Sequence, residues 1–181
     1  MTHLTVAVVA LAALSVSLLL EEKKGPENLL KNGGFEKADK EGKPADWTLG
    51  VQGGAVTYKV VQDKPKEGKS CLRATGQAQF ALLHAKVPID HKKTYKLTGF
   101  ARAAKGGASL KIDYFKGDEV IGQTLGWYIT APEHDWQELG ATSETASFPQ
   151  ATHIAATIVV AGAEGGGDAQ VDFDELTFVA E

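Results

Sequence analysis

The feature that most constrains the fold is a series of short apolar segments, each interrupted by polar residues at every second position. In residues 108–115, leucine, isoleucine and tyrosine alternate with serine, lysine and aspartate, which is the period of a β-strand. Stretches rich in glycine, proline or aspartate, such as 63–69 and 103–107, separate the segments as turns do. The pattern predicts strands at 55–62, 70–75, 78–87, 94–103, 108–115, 136–143, 152–161 and 169–179.

The arrangement of these strands follows from what lies between them. Beyond residue 20 no stretch has sustained helical periodicity, and no βαβ rhythm is present. The chain of 181 residues is long enough for one domain with a sizeable core, and its 20 glycines favour turns. The sequence therefore predicts an all-β antiparallel β-sandwich of the jelly-roll type. Its net charge of −4 and scattered lysines argue against nucleic acid, and its single cysteine, Cys71, excludes an internal disulfide.

Residues 1–20 differ sharply from the rest of the chain. No charge occurs between Leu4 and Leu20, and Glu-Glu-Lys-Lys follows at once. This pattern predicts an apolar leader helix that acts as a signal peptide, followed by a linker at 21–27 and the domain at 28–181. The segment lacks an early Lys or Arg and a clear cleavage site, so a membrane anchor through residues 4–20 remains the alternative. Either reading predicts a secreted or cell-envelope protein.

The last predicted strand carries an unusual concentration of acidic side chains. Asp172 and Asp174 share one face of it, and a β-bulge near Glu175 would change which residues point inward. In a jelly roll the first and last strands often lie side by side, which would bring Glu36 near Asp174. Two carboxylates and nearby carbonyls suit Ca²⁺. The alternative is that the aspartates are solvated and Glu36 pairs with a lysine.

An ordered set of short motifs runs along residues 28–179: NLLKNGGFE, PADWTL, EGKSCLRATG, YKLTGFARA, DWQELGATS and VDFDELTF. In this order they resemble the carbohydrate-binding modules of the galactose-binding-like jelly-roll superfamily. The resemblance implies a structural calcium ion between the first and last strands, with Asp172 an exposed neighbour. It also implies a sugar site on the concave sheet or in its rim loops. The matching metal positions are Glu36, the Gly34 carbonyl, a carbonyl near Lys69, and Asp174.

The aromatic residues supply candidates for a sugar platform, because flat rings stack on the apolar faces of sugars. Trp47 and Trp136 are interpreted as packing residues. Trp127 and Tyr128 lie in 125–136, a segment predicted to join two strands. Consecutive side chains cannot both face a core from one strand, so at least one should be exposed. This pair is the predicted platform, and a plug closing one end of the sandwich is the alternative.

A second set of candidates would form a mixed aromatic and hydrogen-bonding floor on a sheet face. Alternation places three of them opposite the Leu110 row, and the neighbouring strand offers three more, with Gln79 and His84 as further contributors. A solvated sheet face is the alternative. The six are Lys111, Asp113, Phe115, Thr98, Phe100 and Arg102.

No pattern in the chain specifies catalysis. Two carboxylates set across a cleft are not indicated, the histidines lack metal-binding spacing, and no nucleophile elbow or phosphate loop occurs. The sequence therefore predicts an exported, non-catalytic module whose partner is a carbohydrate. A structural or adhesive cell-envelope protein that uses the sandwich for protein contacts is the alternative.

Overall fold

A computed structural model describes residues 25–51, 56–77, 80–162 and 167–181. The predicted leader helix and Gln79 lie outside these ranges. Among the described residues, no helix is both long and apolar enough to cross a membrane. One 3₁₀ turn, Thr145–Ser147, accompanies the strands. The strands are β1 Trp47–Val51, β2 Val56–Val61, β3 Cys71–Gln77, β4 Phe80–His84, β5 Val87–Pro88, β6 Tyr95–Lys105, β7 Gly107–Lys116, β8 Glu119–Thr130, β9 Glu133–Thr142, β10 His153–Ala161 and β11 Asp168–Ala180.

These strands form two antiparallel sheets. The first sheet has the order β1-β4-β10-β7-β8, with β5 also beside β10, and the second has the order β2-β3-β11-β6-β9. β8 and β9 are edge strands of different sheets, and they lie against each other. The predicted all-β antiparallel sandwich is confirmed.

The core lies between the inward faces of the two sheets. Leu110 and Ile112 of β7 and Ile158 of β10 meet Leu97 of β6 and Phe173 of β11, and all five are fully buried. Their neighbours in sequence point outward, as the period of two requires. Each such side chain stabilises the fold by roughly 1.5–3 kcal/mol of apolar transfer. Alternation thus sets which side chains remain for the two outer faces.

The opening segment runs beside the last strand, as predicted. The Leu29 amide donates to the Phe178 carbonyl at 2.7 Å, and the Leu176 amide donates to the Gly33 carbonyl at 3.0 Å. The Asn28 side chain accepts from the Phe178 amide at 2.9 Å. These bonds fix the opening segment against β11.

The predicted bulge in β11 is also confirmed. The register with β6 shifts between Asp174 and Thr177, and Glu175 adopts φ 51°. An extra residue here changes which side chains face inward: Asp174 points outward, and Leu176 then enters the core. The bulge therefore places Leu176 in the core, while Asp174 faces outward by alternation with Phe173.

β8 is a strand where no strand was predicted. Its glycines are typical of turns, but here they allow close packing. A Cβ on Gly126 would collide with the Gly140 carbonyl oxygen of β9, and one on Gly122 would collide with the Phe148 ring. The segment 125–136 is consequently not a single connecting loop, and Trp127 and Tyr128 lie within β8.

Candidate functional site

One strand carries the exposed large apolar side chains of the described residues. Trp127 is 72% exposed, Leu125 59%, Val120 53% and Tyr128 47%, and all four belong to β8. An exposed apolar patch on a soluble domain marks a binding surface more often than scattered single residues do. β8 is therefore the leading candidate for ligand contact.

Trp127 stands at the junction of the two sheets. Because Gly126 approaches the Gly140 carbonyl oxygen closely, β8 lies against β9, and the indole nitrogen of Trp127 is 3.8 Å from where a Gly140 Cβ would lie. The indole flanks a groove of about 660 Å³. The groove is lined by Lys96, Leu97, Thr98, Thr124, Leu125, Gly126, Trp127, Glu138, Leu139, Gly140, Ala141 and Thr142. A flat aromatic surface thus lies beside hydroxyl and charged groups.

Tyr128 points to the other side of β8. It pairs with Ser109 in register, and Ser109 shares the outer face of β7 with Lys111, so Tyr128 lies on that outer face. The Tyr128 ring lies over Gly107, where any Cβ would collide with it. The prediction that at least one of the two aromatics is exposed is confirmed, since both are.

Lys111, Asp113 and Phe115 share the outer face of the first sheet, on the strand next to Tyr128. Asp113 and Phe115 are nevertheless buried. Thr157 donates to Asp113 Oδ2 at 2.6 Å, and Lys111 Nζ lies 2.9 Å from Oδ1 as an ion pair without hydrogen-bond alignment. These residues therefore form an internally paired cluster, and Lys111 and Tyr128 are its more exposed members.

Arg102 does not join this cluster. Together with Thr98 and Phe100 it lies on the outer face of the second sheet, so the predicted single floor is divided between two sheets. The prediction that His84 contributes to the same floor is also wrong. His84 lies in the interior with its ring edge against Trp47, and its Nε2 accepts from the Lys31 amide at 3.0 Å.

Asp172 is not the exposed neighbour that was predicted. It is buried between two guanidiniums, those of Arg73 and Arg102. A carboxylate can be buried at acceptable cost only when it is paired in this way. The pairing depends on the alignment of β3, β11 and β6, which the sequence pattern does not reveal.

The predicted metal residues converge on one loop, residues 63–70. Glu36 Oε1 accepts from the amides of Lys69 and Ser70, at 2.8 and 3.1 Å. Asp174 Oδ2 accepts from the amides of Lys66 and Glu67, at 2.8 and 3.2 Å. The carboxylates of Glu36 and Asp174 thus hold neighbouring parts of the same loop.

A third carboxylate, that of Glu175, adds to this acidic cluster. A Cβ on Gly34 would lie 2.9 Å from Glu175 Oε1. Burial raises the pKa of Asp174, and the nearby Glu36 carboxylate raises it further. Burial also raises the pKa of Glu175, with the charges of Asp174 and Glu67 adding to the effect. The cluster therefore concentrates negative charge in a partly desolvated place.

Calcium prefers carboxylate and main-chain oxygens, whereas the main-chain groups that contact Glu36 and Asp174 here are amides of loop 63–70. No group of three or more His, Cys, Asp or Glu side chains within the described ranges is arranged to hold a metal ion. A calcium ion would therefore need main-chain carbonyls as well as Glu36 and Asp174, which is the composition that the sequence predicted.

Residues that sequence reasoning missed include Leu125 and Glu138 of the groove and Arg73 beside Asp172. The sequence does contain a signal for Arg73, because it is a cation on the outward face of a short apolar strand. Leu125 and Glu138 had none, because the groove exists only where two sheet edges meet.

Comparison with protein families gives one match: residues 27–158 match the profile of a family described as carbohydrate binding domain. No curated protein sequence matches significantly. Among solved structures, the chain is similar to CBM61 (TmCBM61) in complex with β-1,4-galactotriose, at 19% identity and a TM-score of 0.56, covering 86% of this chain and 99% of that one.

Two further structures share the fold. The CBM22-1 xylan-binding domain of Xyn10C from Paenibacillus barcinonensis has 14% identity and a TM-score of 0.60, covering 86% of this chain and 95% of that one. The enzymatically active domain of tailspike protein 4 from bacteriophage CBA120 has 13% identity and a TM-score of 0.65, covering 85% of this chain. The chain spans only 21% of the length of that tailspike domain.

Proposed function

The chain belongs to the family of carbohydrate-binding domains, and on that premise we propose that it is an exported, non-catalytic module that binds a polysaccharide or glycan. The observation that carries the proposal is the exposed indole of Trp127, which lies with Leu125 beside the groove between β8 and β9. An exposed aromatic side chain beside a groove is typical of a binding surface.

The proposed site offers two kinds of contact to a sugar, aromatic stacking and hydrogen bonds. The indole of Trp127 offers a flat apolar surface for the C–H face of one sugar ring. Thr98, Glu138 and Lys96 line the same groove and can accept from or donate to sugar hydroxyls. On the other side of β8, Tyr128 offers a second ring next to Lys111. The proposal therefore assigns the main contact to Trp127 and an accessory one to Tyr128.

The comparisons support this choice over protein adhesion. One similar structure is described with β-1,4-galactotriose and another as a xylan-binding domain. β-1,4-Galactotriose and xylan fragments are therefore the first ligands to test. The enzymatic activity named for the tailspike domain belongs to a chain of which this one covers about a fifth.

Calcium is part of the proposal as a structural ion. Glu36, Asp174, the Gly34 carbonyl and a carbonyl near Lys69 would hold it. Its charge would offset the repulsion among carboxylates whose pKa values burial raises. Because these residues belong to the opening segment, β11 and loop 63–70, an ion there would tie together three parts of the chain.

Export and location rest on the composition of residues 1–20, which is that of a signal peptide or membrane anchor. The proposed place of action is outside the cytoplasm, in the medium or on the cell envelope. Mass analysis of the mature protein would decide between a cleaved leader and a retained one.

The decisive experiment is binding of the purified protein to a glycan array, followed by titration calorimetry with the best ligand. Trp127→Ala should weaken binding about thirtyfold, since a central aromatic anchor contributes roughly 2 kcal/mol. Val120→Ala is the matched control, because it removes an exposed apolar side chain of the same strand that does not line the groove. Equal affinity of the wild type and Trp127→Ala would refute the assignment, and an array with no binding would refute the proposed function.

A further inference from the structure

A polar pocket of about 360 Å³ lies on the outer face of the second sheet, separate from the Trp127 groove. β3, β6 and β11 form its floor, and the start of β9 and loop 63–70 contribute side walls. Its lining residues are Asp63, Lys64, Arg73, Arg102, Ala104, Glu133, His134, Gln170 and Asp172. Neither the groove nor the acidic cluster accounts for it.

Two guanidiniums converge on one carboxylate at the floor of the pocket. Arg73 donates to both oxygens of Asp172, at 2.7 and 2.8 Å. Arg102 donates twice to Oδ2 of the same residue, at 3.0 and 2.8 Å. One buried negative charge therefore fixes the position and plane of two positive ones.

Both guanidiniums are also held from the side. Arg102 lies over the Trp136 ring, 4.7 Å from its centroid, and donates to the Asp63 carbonyl at 2.6 Å. Within the part of the chain that the structure describes, neither Nη1 atom makes a hydrogen bond. Two oriented arginines thus retain donor capacity, which is the arrangement that recognises carboxylates.

The contact of Asp63 with Arg73 indicates that the pocket can bind a carboxylate. The Asp63 carboxylate takes a hydrogen bond from Arg73 Nη2 at 2.8 Å, yet the Asp63 side chain is 55% exposed. An ion pair with so exposed a partner is weak and exchanges readily. The next residue, Lys64, adopts φ 49°, a conformation that strains a non-glycine residue and often occurs at functional sites. A carboxylate from outside can take the place of that of Asp63.

We propose that this pocket binds the carboxylate of an acidic sugar, such as a uronic acid residue of a polysaccharide. The carboxylate takes the place of the Asp63 carboxylate on Arg73 and also binds Arg102, with Lys64 adding positive charge. Glu133, His134 and Gln170 are available for the hydroxyl groups of the sugar ring. The volume is at the small end of ligand pockets, which run from roughly 300 to 1,000 Å³, as expected for one sugar residue.

The choice of a sugar rests on the proposed function, whereas the choice of a carboxylate rests on the arginines alone. Thr98 of the Trp127 groove and Arg102 of this pocket are on the same face of β6, four residues apart. At about 3.3 Å per residue they are separated by roughly 13 Å. A chain of sugars can therefore cover both places on one sheet face.

The test follows the indole N–H signals of the ¹⁵N-labelled protein by NMR. The three tryptophans, Trp47, Trp127 and Trp136, give three signals, assigned by single Trp→Phe variants. Glucuronate, glucose and acetate are added separately. Glucuronate should shift the Trp136 signal, because that ring touches Arg102, and should bind at least about tenfold more tightly than acetate or glucose.

Two variants and a control test whether the arginines bind the ligand or serve only to stabilise the fold. Arg73→Gln should weaken glucuronate binding at least tenfold. Asp63→Asn changes an exposed side chain and should strengthen glucuronate binding about two- to fivefold by removing the competing carboxylate. Lys92→Gln is the control, because it removes an exposed cation near the opposite end of β6. Affinity unchanged in Asp63→Asn, or acetate binding as well as glucuronate, overturns the proposal.

The same spectra distinguish this inference from the proposed function. A glycan bound in the groove shifts the Trp127 signal, and glucuronate in the pocket shifts that of Trp136. A Trp136 response with no glycan binding at Trp127 would support the pocket and refute the groove. The reverse would support the groove and refute the pocket.

Discussion

The carboxylate of Asp172 should be one of the most stabilising charged groups of this domain. It accepts four hydrogen bonds from two guanidiniums and joins β3, β11 and β6. Asp172→Asn keeps the shape of the side chain but removes the charge. Two arginines would then face each other across an amide, which can accept hydrogen bonds through only one of its atoms.

The magnitude follows from burial. Removing one partner of a fully buried ion pair costs roughly 3–5 kcal/mol. Both arginines keep some contact with water, and Asp63 remains beside Arg73, so screening reduces this value to about 2–3 kcal/mol. For a domain of this size each kcal/mol lowers Tm by about 2–4 °C, which gives a decrease of about 4–12 °C.

Differential scanning calorimetry measures this decrease directly. The matched control is Asp118→Asn, which makes the same chemical change on a fully exposed carboxylate that pairs with Lys86 and should leave Tm within about 1 °C of the wild type. If the two variants melt together, the Asp172 network contributes no more than a surface ion pair, and the reasoning is refuted.

Three further predictions concern the acidic cluster and the contact of β8 with β9. Removal of divalent ions with a chelator should lower Tm without unfolding the domain, and an unchanged melting curve would contradict the proposed calcium ion. In the chelated protein, the raised pKa values of Asp174 and Glu175 mean that the charged forms of both side chains destabilise the fold. The free energy of unfolding of the wild type, measured relative to that of Glu175→Gln, should therefore rise as the pH falls from about 7 to about 5. Urea titrations would measure it, and a falling difference would show that the sign is wrong. Gly126→Ala should lower both Tm and glycan affinity, because the added Cβ meets the Gly140 carbonyl oxygen. Gly25→Ala is the control for Tm, because Gly25 has open space around it and no positive φ. A larger loss of Tm in Gly25→Ala would contradict the packing argument.

The sequence predicted best what depends on neighbouring residues. Alternation along 108–115 gave the two faces of β7 correctly, and the charges of β11 indicated the bulge at Glu175. The nearness of Glu36 and Asp174 followed from the expected jelly-roll topology, and both now contact loop 63–70.

What failed depends on contacts between distant strands. Alternation tells which side chains share one face of a strand, but it does not tell to which sheet the strand belongs. Arg102 and Lys111 were therefore grouped, although β6 and β7 belong to different sheets. Asp172 was expected in solvent because its arginine partners are 99 and 70 residues away.

β8 was missed for a related reason. Glycine within a segment normally signals a turn, whereas Gly126 is present because another strand passes directly over it. That approach is visible only in three dimensions, and it creates the groove beside Trp127.

The hydrogen bond between Leu29 and Phe178 means that the domain begins and finishes at one place on its surface. Such a domain can be inserted into a surface loop of a host protein without forcing the two ends of that loop apart. It should also tolerate circular permutation, with residues 28 and 180 joined by a short peptide and new ends opened at Gly117 between β7 and β8. This arrangement makes it a convenient unit for fusion to enzymes or reporters.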